Sequence, residues 1–316
     1  MILVAGEALF DLVVSFNGSI EAHPGGAPFN VCCTIARLGR EVAFLGALSD
    51  DRFGRTLAGA LTSEGVDLSA AVPVNRPTTL ALAELDETGA ATYHFYADGT
   101  SASAVDEADA EAALRLAVTA LHVGTLGLVL EPLATATKML VEGVDGDVLV
   151  FLDPNCRPTV TTDRARYLET VAQCARRADV IKVSDEDLAF LAPGGNAVQA
   201  TRSMLRPEAV GLVTRGAGGI TVVTAEETVD IAVPQVAVVD TVGAGDGFGG
   251  AFLAYWDQHG LGRADVADLE QVIDGVRFGV HVAAMICERA GANPPRREEV
   301  ASRVGHPAPR TGGPRQ

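Results

Sequence analysis

The sequence predicts an α/β fold with a doubly wound, mostly parallel sheet flanked by helices. From about residue 104 onward, short apolar segments alternate with helical ones, which is the pattern of parallel strands joined by crossover helices. These apolar segments are residues 120–124, 148–153, 180–183 and 211–214. Between residues 72 and 100 apolar and polar residues alternate instead, which predicts a smaller antiparallel sheet projecting from the main one.

The length of 316 residues suits one large α/β domain, which we expect to span residues 1–305. Hydrophobic residues make up 48% of the chain and supply an interior of Val, Ala and Leu. The smaller sheet would draw on residues of about 12–24 and 72–100. Residues 306–316 are rich in Pro, Gly and Arg, so we expect a disordered tail there.

Charge and cysteine content exclude several classes of protein. The formal net charge is −17 and the pI is about 4.7, so neither nucleic acid nor an anionic membrane is an expected partner. Five cysteines without a C-x-x-C pair argue against a disulfide or zinc framework. The chain begins on a strand-like segment without a basic leader, and no apolar run reaches membrane-spanning length. We therefore expect a soluble protein of the cytoplasm.

The first apolar segment predicts a buried strand that runs into a short loop at Asp11. Residues 12–16 alternate weakly and predict a short exposed strand. The Asp11 carboxylate would either hydrogen-bond a ligand hydroxyl or cap the turn, and local sequence leaves both open.

A helix is predicted between Pro28 and Gly39, because proline favours the first helical turn and glycine the position after the last. Asn30 lies in the first turn of this helix. Its side chain would either face a ligand across Gly26 or be solvated.

Residues 78–85 and 91–96 predict an antiparallel hairpin with a turn at 86–89. Phe95 and Tyr96 stand at its end. These aromatic side chains would either contact a ligand beneath the sheet or pack across strands. The projecting hairpin is also compatible with a homodimer that pairs through this sheet.

Polar residues follow the apolar strands at their carboxyl ends, where ligands gather in α/β sheets. They are Asn155 and Arg157 after the second strand, Lys182, Ser184 and Asp187 at the third, and Thr214, Gly216 and Gly219 after the fourth. Arg157 would bind a phosphate or substrate oxygen, or form a surface ion pair. Ser184 also suits a helix N-cap, and the turn after Thr214 also suits a plain hairpin.

The most distinctive stretch lies late in the chain. The β-branched residues 236–239 predict a buried strand, Gly243, Ala244 and Gly245 predict a tight turn, and residues 251–256 predict a helix. Free backbone N–H groups at such a junction favour an anion. Asp246 would repel a phosphate, unless it accepts the proton of a hydroxyl that attacks that phosphate. The alternative is a carboxylate that only stabilises the helix start.

Residues 240–246, Asp-Thr-x-Gly-Ala-Gly-Asp, resemble the C-terminal signature of the PfkB (ribokinase-like) sugar kinases. Residues 25–30, Gly-Gly-Ala-x-x-Asn, resemble the N-terminal signature. This resemblance implies a ribokinase-like fold whose small sheet is a lid over the sugar. It also implies that Asp246 is the catalytic base, and that the backbone of Gly243, Ala244 and Gly245 forms an anion hole for the transferred phosphoryl group.

The same resemblance implies the ligands. ATP would lie over the Thr214, Gly216 and Gly219 loop, with Mg²⁺ bridging its phosphates. Relatives organise this metal with Asn-x-x-Glu, where this chain has Ser184 and Asp187, so the metal geometry differs. In potassium-dependent relatives, loops matching Asp240 and Gly291 hold K⁺. The implied sugar-binding residues are Asp11, Gly26, Asn30, Tyr96, Asn155 and Arg157, and the implied nucleotide-binding residues are Lys182, Ser184, Asp187, Thr214, Gly216 and Gly219.

Segments 24–30, 153–157 and 182–186 are most similar to fructokinases, although 2-keto-3-deoxygluconate kinases and ribokinases share much of them. One alternative comes from another class of protein. Gly245-x-Gly247-x-x-Gly250 also matches the GxGxxG pattern of dinucleotide-binding oxidoreductases. That interpretation requires a second strand about twenty residues on, where this sequence predicts a helix. A sugar-binding regulator on an inactive kinase scaffold is disfavoured because Asp246 and the glycines are present.

Overall fold

The computed structural model describes residues 1–87 and 91–304. The expected tail at 306–316 and part of the expected turn at 86–89 lie outside these residues. Among the described residues, the strands in chain order are β1 (Ile2–Ala5), β2 (Leu9–Val14), β3 (Ile20–Gly25), β4 (Val42–Leu45), β5 (Ala47–Ser49), β6 (Val72–Val74), β7 (Leu80–Leu85), β8 (Ala91–Tyr96), β9 (Ala120–Gly124), β10 (Leu149–Asp153), β11 (Val180–Ser184), β12 (Val210–Thr214), β13 (Ile220–Val223) and β14 (Thr228–Ile231).

The α-helices of the same part of the chain are α1 (Ala27–Arg37), α2 (Arg52–Ser63), α3 (Glu107–Ala113), α4 (Leu133–Gly143), α5 (Arg164–Ala175), α6 (Asp185–Leu191), α7 (Ala197–Met204), α8 (Ala244–Gln258), α9 (Leu269–Cys287) and α10 (Arg297–Val304). None of the helices in these residues is both long and apolar enough to cross a membrane.

The main sheet has the order β14-β13-β12-β11-β10-β9-β1-β4. Its strands run parallel from β4 to β12, and β13 and β14 continue it as an antiparallel edge. This confirms the predicted α/β class. The apolar segments predicted as strands after residue 104 are β9 to β12, correct to within a residue or so at each end.

Hydrophobic cores cover both faces of the main sheet. In β1, Ile2 and Val4 pack toward α1, α8 and α9, whereas Leu3 and Ala5 pack toward α3, α4 and α5. All four side chains are buried, because successive residues of a strand point to opposite faces. Burial on both faces explains why these strands read as continuous apolar runs.

The smaller sheet has the order β3-β2-β7-β8. Its two outer pairs are antiparallel and its central pair, β2 with β7, is parallel. The prediction that Asp11 lies in a loop is wrong. Asp11 lies within β2, because this strand begins at Leu9 and includes the last residues of the apolar run. Residues 72–74 do not join this sheet; they pair with β5.

The predicted strand at residues 236–239 is wrong. This segment is irregular and exposed: Val238 is 62% and Val239 64% accessible to solvent. Its backbone is held by the end of a helix instead of by a strand, since the N–H groups of Val239 and Asp240 donate to the Cys287 carbonyl. A run of β-branched residues forms a strand only where a neighbouring strand is available to pair with it.

An arginine cluster fixes the amino ends of the parallel strands. Asp179, directly before β11, is fully buried and accepts the backbone N–H of Val150 in β10 at 2.8 Å. Three guanidinium groups bind the same carboxylate: Arg177 at 3.0 Å, Arg263 at 2.8 Å, and Arg206. One buried charge therefore connects β10, β11 and the segments after α5, α7 and α8.

We predict that Asp179→Asn lowers the free energy of unfolding by about 3 kcal/mol, because it removes a fully buried carboxylate and leaves three partly buried guanidinium groups without their counter-charge. Urea unfolding of the purified variant measures this loss. The matched control is Asp274→Asn, which removes a partly exposed i,i+3 partner of Arg277 and should cost less than about 1 kcal/mol. Equal losses in the two variants would contradict a special role for the cluster.

Candidate active site

The predicted site residues gather along the carboxyl edge of the main sheet. The register pairs Asp153 of β10 with Gly124 of β9, and Ser184 of β11 with Thr214 of β12. The start of α8 meets this edge, where a Cβ added at Gly245 would lie 3.3 Å from Lys182 Nζ. The structure therefore brings the third and fourth strand ends together with the glycine-rich turn, as the sequence predicts.

A hydrogen bond joins the two signature segments. Asn30 Nδ2, in the first turn of α1, donates to Asp246 Oδ2, in the first turn of α8, at 2.8 Å. The two residues are 216 positions apart in sequence, and Asn30 is buried. Asn30 is thus not a solvated helix residue, and its amide fixes the orientation of the Asp246 carboxylate.

Glycines let the two helices approach closely enough for this bond. A Cβ at Gly250 would lie 2.9 Å from Thr34 Cβ in α1, and one at Gly247 would lie 2.0 Å from Ile286 Cδ1 in α9. The Gly245-x-Gly247-x-x-Gly250 pattern therefore serves helix packing. Helix α9 follows where a dinucleotide-binding fold requires a strand, which removes the support for that alternative.

The start of α8 is shaped as an anion site. Gly243 is its N-cap with φ 75°, and a Cβ there would lie 2.4 Å from Ala292 Cβ. Within the described residues, the N–H groups of Gly245 and Asp246 have no hydrogen-bond acceptor, as expected of a first turn. These donors and the helix dipole favour a negative ligand.

Asp240 ties the loop before α8 to the loop after α9. Its Oδ1 accepts the N–H of Val242 at 3.0 Å, and its Oδ2 accepts the N–H of Gly291 at 2.8 Å. The two loops that the sequence associates with a monovalent cation are therefore adjacent.

Lys182 and Asp153 form a buried ion pair beside Gly245, with Nζ 2.7 Å from Oδ2. Burial raises the pKa of Asp153 to about 6, against the opposing charge of Lys182. Burial alone would lower the pKa of Lys182, but the carboxylates of Asp153, Asp187 and Asp246 outweigh it and raise that pKa. Both groups are therefore charged at neutral pH, and the ammonium lies next to the anion site.

Ser184 and Asp187 form a capping box at the start of α6. Asp187 Oδ2 accepts the Ser184 N–H at 2.8 Å and its hydroxyl at 2.9 Å, while Oδ1 accepts the Cys156 N–H at 2.6 Å. Ser184 is therefore the N-cap of α6, which is one of the two predictions for this residue. The bond to Cys156 also attaches the loop after β10 to α6, so Asp187 holds this loop in place.

The predicted nucleotide loop is the turn between β12 and β13. Gly216 and Gly219 adopt positive φ of 49° and 93°, which favours glycine, and the Thr214 hydroxyl donates to the Val183 carbonyl at 3.4 Å. This geometry is compatible with both predictions for the turn, a nucleotide-binding loop and a plain hairpin. Its position next to Ser184 places it on the same edge as the anion site.

The charges of Asp246 and Arg157 both act on Asp11. The carboxylate of Asp11 lies against Gly25, where a Cβ would come within 2.0 Å of Oδ2. Burial raises the pKa of Asp11 to about 6, the charge of Asp246 adds to this, and that of Arg157 opposes it. Asn155 has a positive φ of 38° and turns the chain toward Arg157. In the described residues, Arg157 forms no salt bridge; its Nη1 donates to the Cys156 carbonyl at 3.2 Å, and the rest of the guanidinium is open to a ligand.

The register of the small sheet shows which aromatic residues of β8 share a face with Asp11. Asp11, Ala81 and Phe95 lie opposite one another across β2, β7 and β8 and therefore share a face. Tyr96 lies in the next row, with Leu80 and Phe10, so it points to the other face and is 58% exposed. Phe95 lies in the row of Asp11, and Tyr93 lies on the same face one row further along, whereas Tyr96 does not. The alternation of residues along β8 puts Phe95 and Tyr96 on opposite faces, but only the register shows which of them lies on the side of Asp11.

Two buried polar residues escaped the sequence analysis. Glu7 lies two residues after the end of β1 and is 1% exposed; Oε2 of its carboxyl has no hydrogen-bond partner in the described residues. His122 in β9 is fully buried, and burial followed by the charge of Lys182 lowers its pKa to about 3. It is therefore neutral. A charged residue type inside an apolar run was the available signal for both.

Comparison with known proteins decides the family. Residues 2–299 match the model of the pfkB family carbohydrate kinases. The chain belongs to this family. A fructokinase of Rhizobium leguminosarum bv. trifolii is 32% identical over 277 residues, which are 86% of this chain and 84% of that protein. The predicted sugar-kinase class is therefore confirmed.

Solved structures of carbohydrate kinases share the fold. Fructokinase from Xylella fastidiosa with bound ATP has a TM-score of 0.86 and 26% identity, over 96% of this chain and 99% of that one. Fructokinase from Vibrio cholerae O395, in a form with fructose, ADP and calcium ion bound, has a TM-score of 0.81 and 26% identity, over 95% and 97%. The expected ribokinase-like fold is confirmed.

We predict that Gly243→Ala lowers kcat of this kinase by about 10²-fold, because a side chain at this N-cap displaces the start of α8. Steady-state phosphorylation kinetics measure the loss. Gly260→Ala is the matched control: Gly260 also has a positive φ, 63°, follows the other end of α8, and has open space around it. Backbone strain should cost each variant about 1 kcal/mol of stability, and Gly243→Ala should lose more because its Cβ meets Ala292; Gly260→Ala should keep its activity. Similar kcat values for the two variants would contradict the prediction.

Proposed function

We propose that this carbohydrate kinase transfers the γ-phosphoryl group of ATP to a hydroxyl of fructose. The observation that carries the proposal is the hydrogen bond between Asn30 and Asp246. It connects the helix that begins at the sugar-binding glycines to the helix that begins at the anion site. A carboxylate held between these two points is placed to act on a sugar hydroxyl facing a phosphate.

In this mechanism Asp246 accepts the proton of the sugar hydroxyl as its oxygen attacks the γ-phosphorus. The new bond forms between that oxygen and phosphorus, the bond from phosphorus to the β-γ bridging oxygen breaks, and ADP leaves. The free N–H groups of Gly245 and Asp246 stabilise the charge on the transferred group. Because such a transition state is loose, positioning and electrostatics contribute more than a strong base does.

Lys182 adds a fixed positive charge to the anion site. Its ammonium is 5% exposed and held by Asp153, so it undergoes little reorganisation when phosphate arrives. ATP bound in the Xylella fastidiosa fructokinase structure supports the choice of nucleotide. We assign the turn of Thr214, Gly216 and Gly219 to the same nucleotide.

Mg²⁺ fits this edge of the site as a companion of ATP. Asp153 Oδ1 is buried and has no hydrogen-bond partner among the residues that the structure describes, and the charge of Asp187 acts on Asp153. The described residues contain no group of three or more His, Cys, Asp or Glu that could enclose a metal, but Mg²⁺ commonly binds through one or two carboxylates, water and substrate phosphates. Asp153 and Asp187 would hold it, and it would neutralise phosphate charge.

K⁺ fits the junction of the Asp240 and Gly291 loops. Each Asp240 oxygen accepts one backbone N–H and keeps lone pairs for a cation. A cation there would stabilise the loop that leads into Gly243.

The sugar would lie between the start of α1 and the small sheet. Asp11, Asn30 and Arg157 offer an acceptor, an amide and a cation to its hydroxyls, and Gly26 lets it approach the backbone. Asn155 directs Arg157 toward it, and Phe95 covers it from the face that Asp11 shares. We thus interpret the small sheet as a lid.

We also propose that two copies pair through this lid in the cytoplasm. Ile20 and Tyr96 lie on the face opposite Asp11, Phe16 stands in the turn after β2, and each of these three large hydrophobic residues is more than half exposed. A second copy that covers them would remove apolar surface from water.

In a panel of fructose, ribose, adenosine and 2-keto-3-deoxygluconate, we predict the highest kcat/KM for fructose, measured as ADP release with ATP and Mg²⁺. Two observations support fructose over the other sugars: curated relatives are named fructokinase, and residues 153–157 resemble the corresponding segment of fructokinases. Asp11→Ala should weaken discrimination among sugars without changing ATP affinity. Inert fructose with another active sugar would overturn the sugar assignment and leave the kinase class intact.

We predict that Asp246→Asn lowers kcat by about 10²–10⁴-fold, the usual contribution of a general base, with little change in ATP or sugar affinity. Asparagine serves a helix start about as well as aspartate, so the melting temperature should change little. If Asp246 only stabilises the helix, the variant will keep kcat within a few-fold of the wild type, and Asp246 then has no place in the mechanism.

A further inference from the structure

Glu7 occupies a closed position between the main sheet and the sugar-binding segment. Only Gly6 separates it from the end of β1, and Gly6 packs against the ring of Pro28, where a Cβ would lie 2.5 Å from Cγ. A Cβ at Gly26 would lie 3.0 Å from the Glu7 carbonyl oxygen. The start of α1 therefore rests on Glu7, and the side chain of Glu7 has no access to solvent.

The surroundings of this carboxyl do not compensate a negative charge. Oε2 has no hydrogen-bond partner in the described residues. The carboxyl receives hydrogen bonds from the backbone N–H groups of Glu7 itself and of Leu126, after β9. Two charged side chains act on it, Arg157 from the loop after β10 and Asp246 from α8, and they oppose each other. Burial, the largest effect, raises the pKa of Glu7 to about 8.

Arg157 is shared between two carboxyl groups. Its charge lowers the pKa of Glu7 and that of Asp11, against the larger effect of burial in both cases. If Glu7 is neutral, the guanidinium is balanced by Asp11 and is open to the sugar. If Glu7 is ionised, a second and more deeply buried anion attracts the same guanidinium.

We propose that Glu7 is a positioning residue that works as a neutral carboxylic acid, and that loss of its proton draws Arg157 away from the sugar. This proposal rests on the sugar-kinase function given above. It adds a residue that does not touch the reacting atoms but controls one that binds the substrate. Ionisation of Glu7 therefore weakens sugar binding more than it slows the transfer of phosphate.

The kinetic test compares the wild type with Glu7→Gln, which has the same shape and cannot ionise. Above about pH 8, kcat/KM for the sugar should fall about ten-fold per pH unit in the wild type, because only the protonated enzyme binds well. The fall should appear in KM more than in kcat. Glu7→Gln should keep kcat/KM within about three-fold at pH 7 and lose the alkaline fall.

Thr137→Val is the matched control, because Thr137 is another buried side chain whose hydroxyl has no partner in the described residues. It carries no titratable proton, so its pH profile should keep the alkaline fall. Glu7→Met, neutral and of similar length, must show the same flat profile as Glu7→Gln and serves if the glutamine variant does not fold. An unchanged alkaline fall in either neutral variant overturns the proposal.

A second readout needs neither sugar nor ATP. With a pKa raised from 4.5 to about 8, the folded state keeps a proton that the unfolded state releases, so stability falls as pH rises through this window. The melting temperature should therefore fall more between pH 5 and 8 in the wild type than in Glu7→Gln; Asp11 contributes to both proteins alike. Equal slopes overturn a neutral Glu7 even if every sugar of the panel proves inert.

Discussion

The close contact of α1 with α8 is the constraint on which the rest of the site depends. Gly250 of α8 has no side chain that would hold α1 away, and Gly247 of α8 has none that would hold α9 away. Only at this distance can Asn30 reach Asp246. A sequence pattern that also matches a dinucleotide fingerprint thus has a packing explanation here, since the same small residues that admit a pyrophosphate in one fold admit a neighbouring helix in another.

Charge at the carboxyl edge is balanced in two separate compartments. On the nucleotide side, Lys182 is buried with Asp153 and presents one fixed cation beside the free N–H groups of α8. On the sugar side, Arg157 faces Glu7 and Asp11 and has no salt bridge in the part of the chain that the structure describes. The first arrangement suits a ligand of constant charge, and the second suits an uncharged ligand that must be oriented by hydrogen bonds.

Sequence reasoning predicted the parallel strands because burial on both faces produces continuous apolar runs, and it predicted the glycine-rich turn because few structures need such a run of glycines. It failed at residues 236–239, since local composition does not tell whether a sheet edge is available. It placed Asp11 outside its strand and chose Tyr96 over Phe95, because both depend on register between distant strands. Glu7 was missed although an acidic residue inside an apolar run was the available signal, because only the fold shows that its carboxyl is buried.

The arginine cluster around Asp179 lies at the amino ends of the strands, at the opposite edge of the sheet from the ligands. Strand spacing is therefore secured by residues that no substrate touches. Replacements in the small sheet or in the loops after β10 and β12 can alter which sugar is accepted without loosening that anchor. Such a separation makes the scaffold evolvable: substrate preference can diverge among descendants of one kinase while the demand for a stable fold is met elsewhere in the chain.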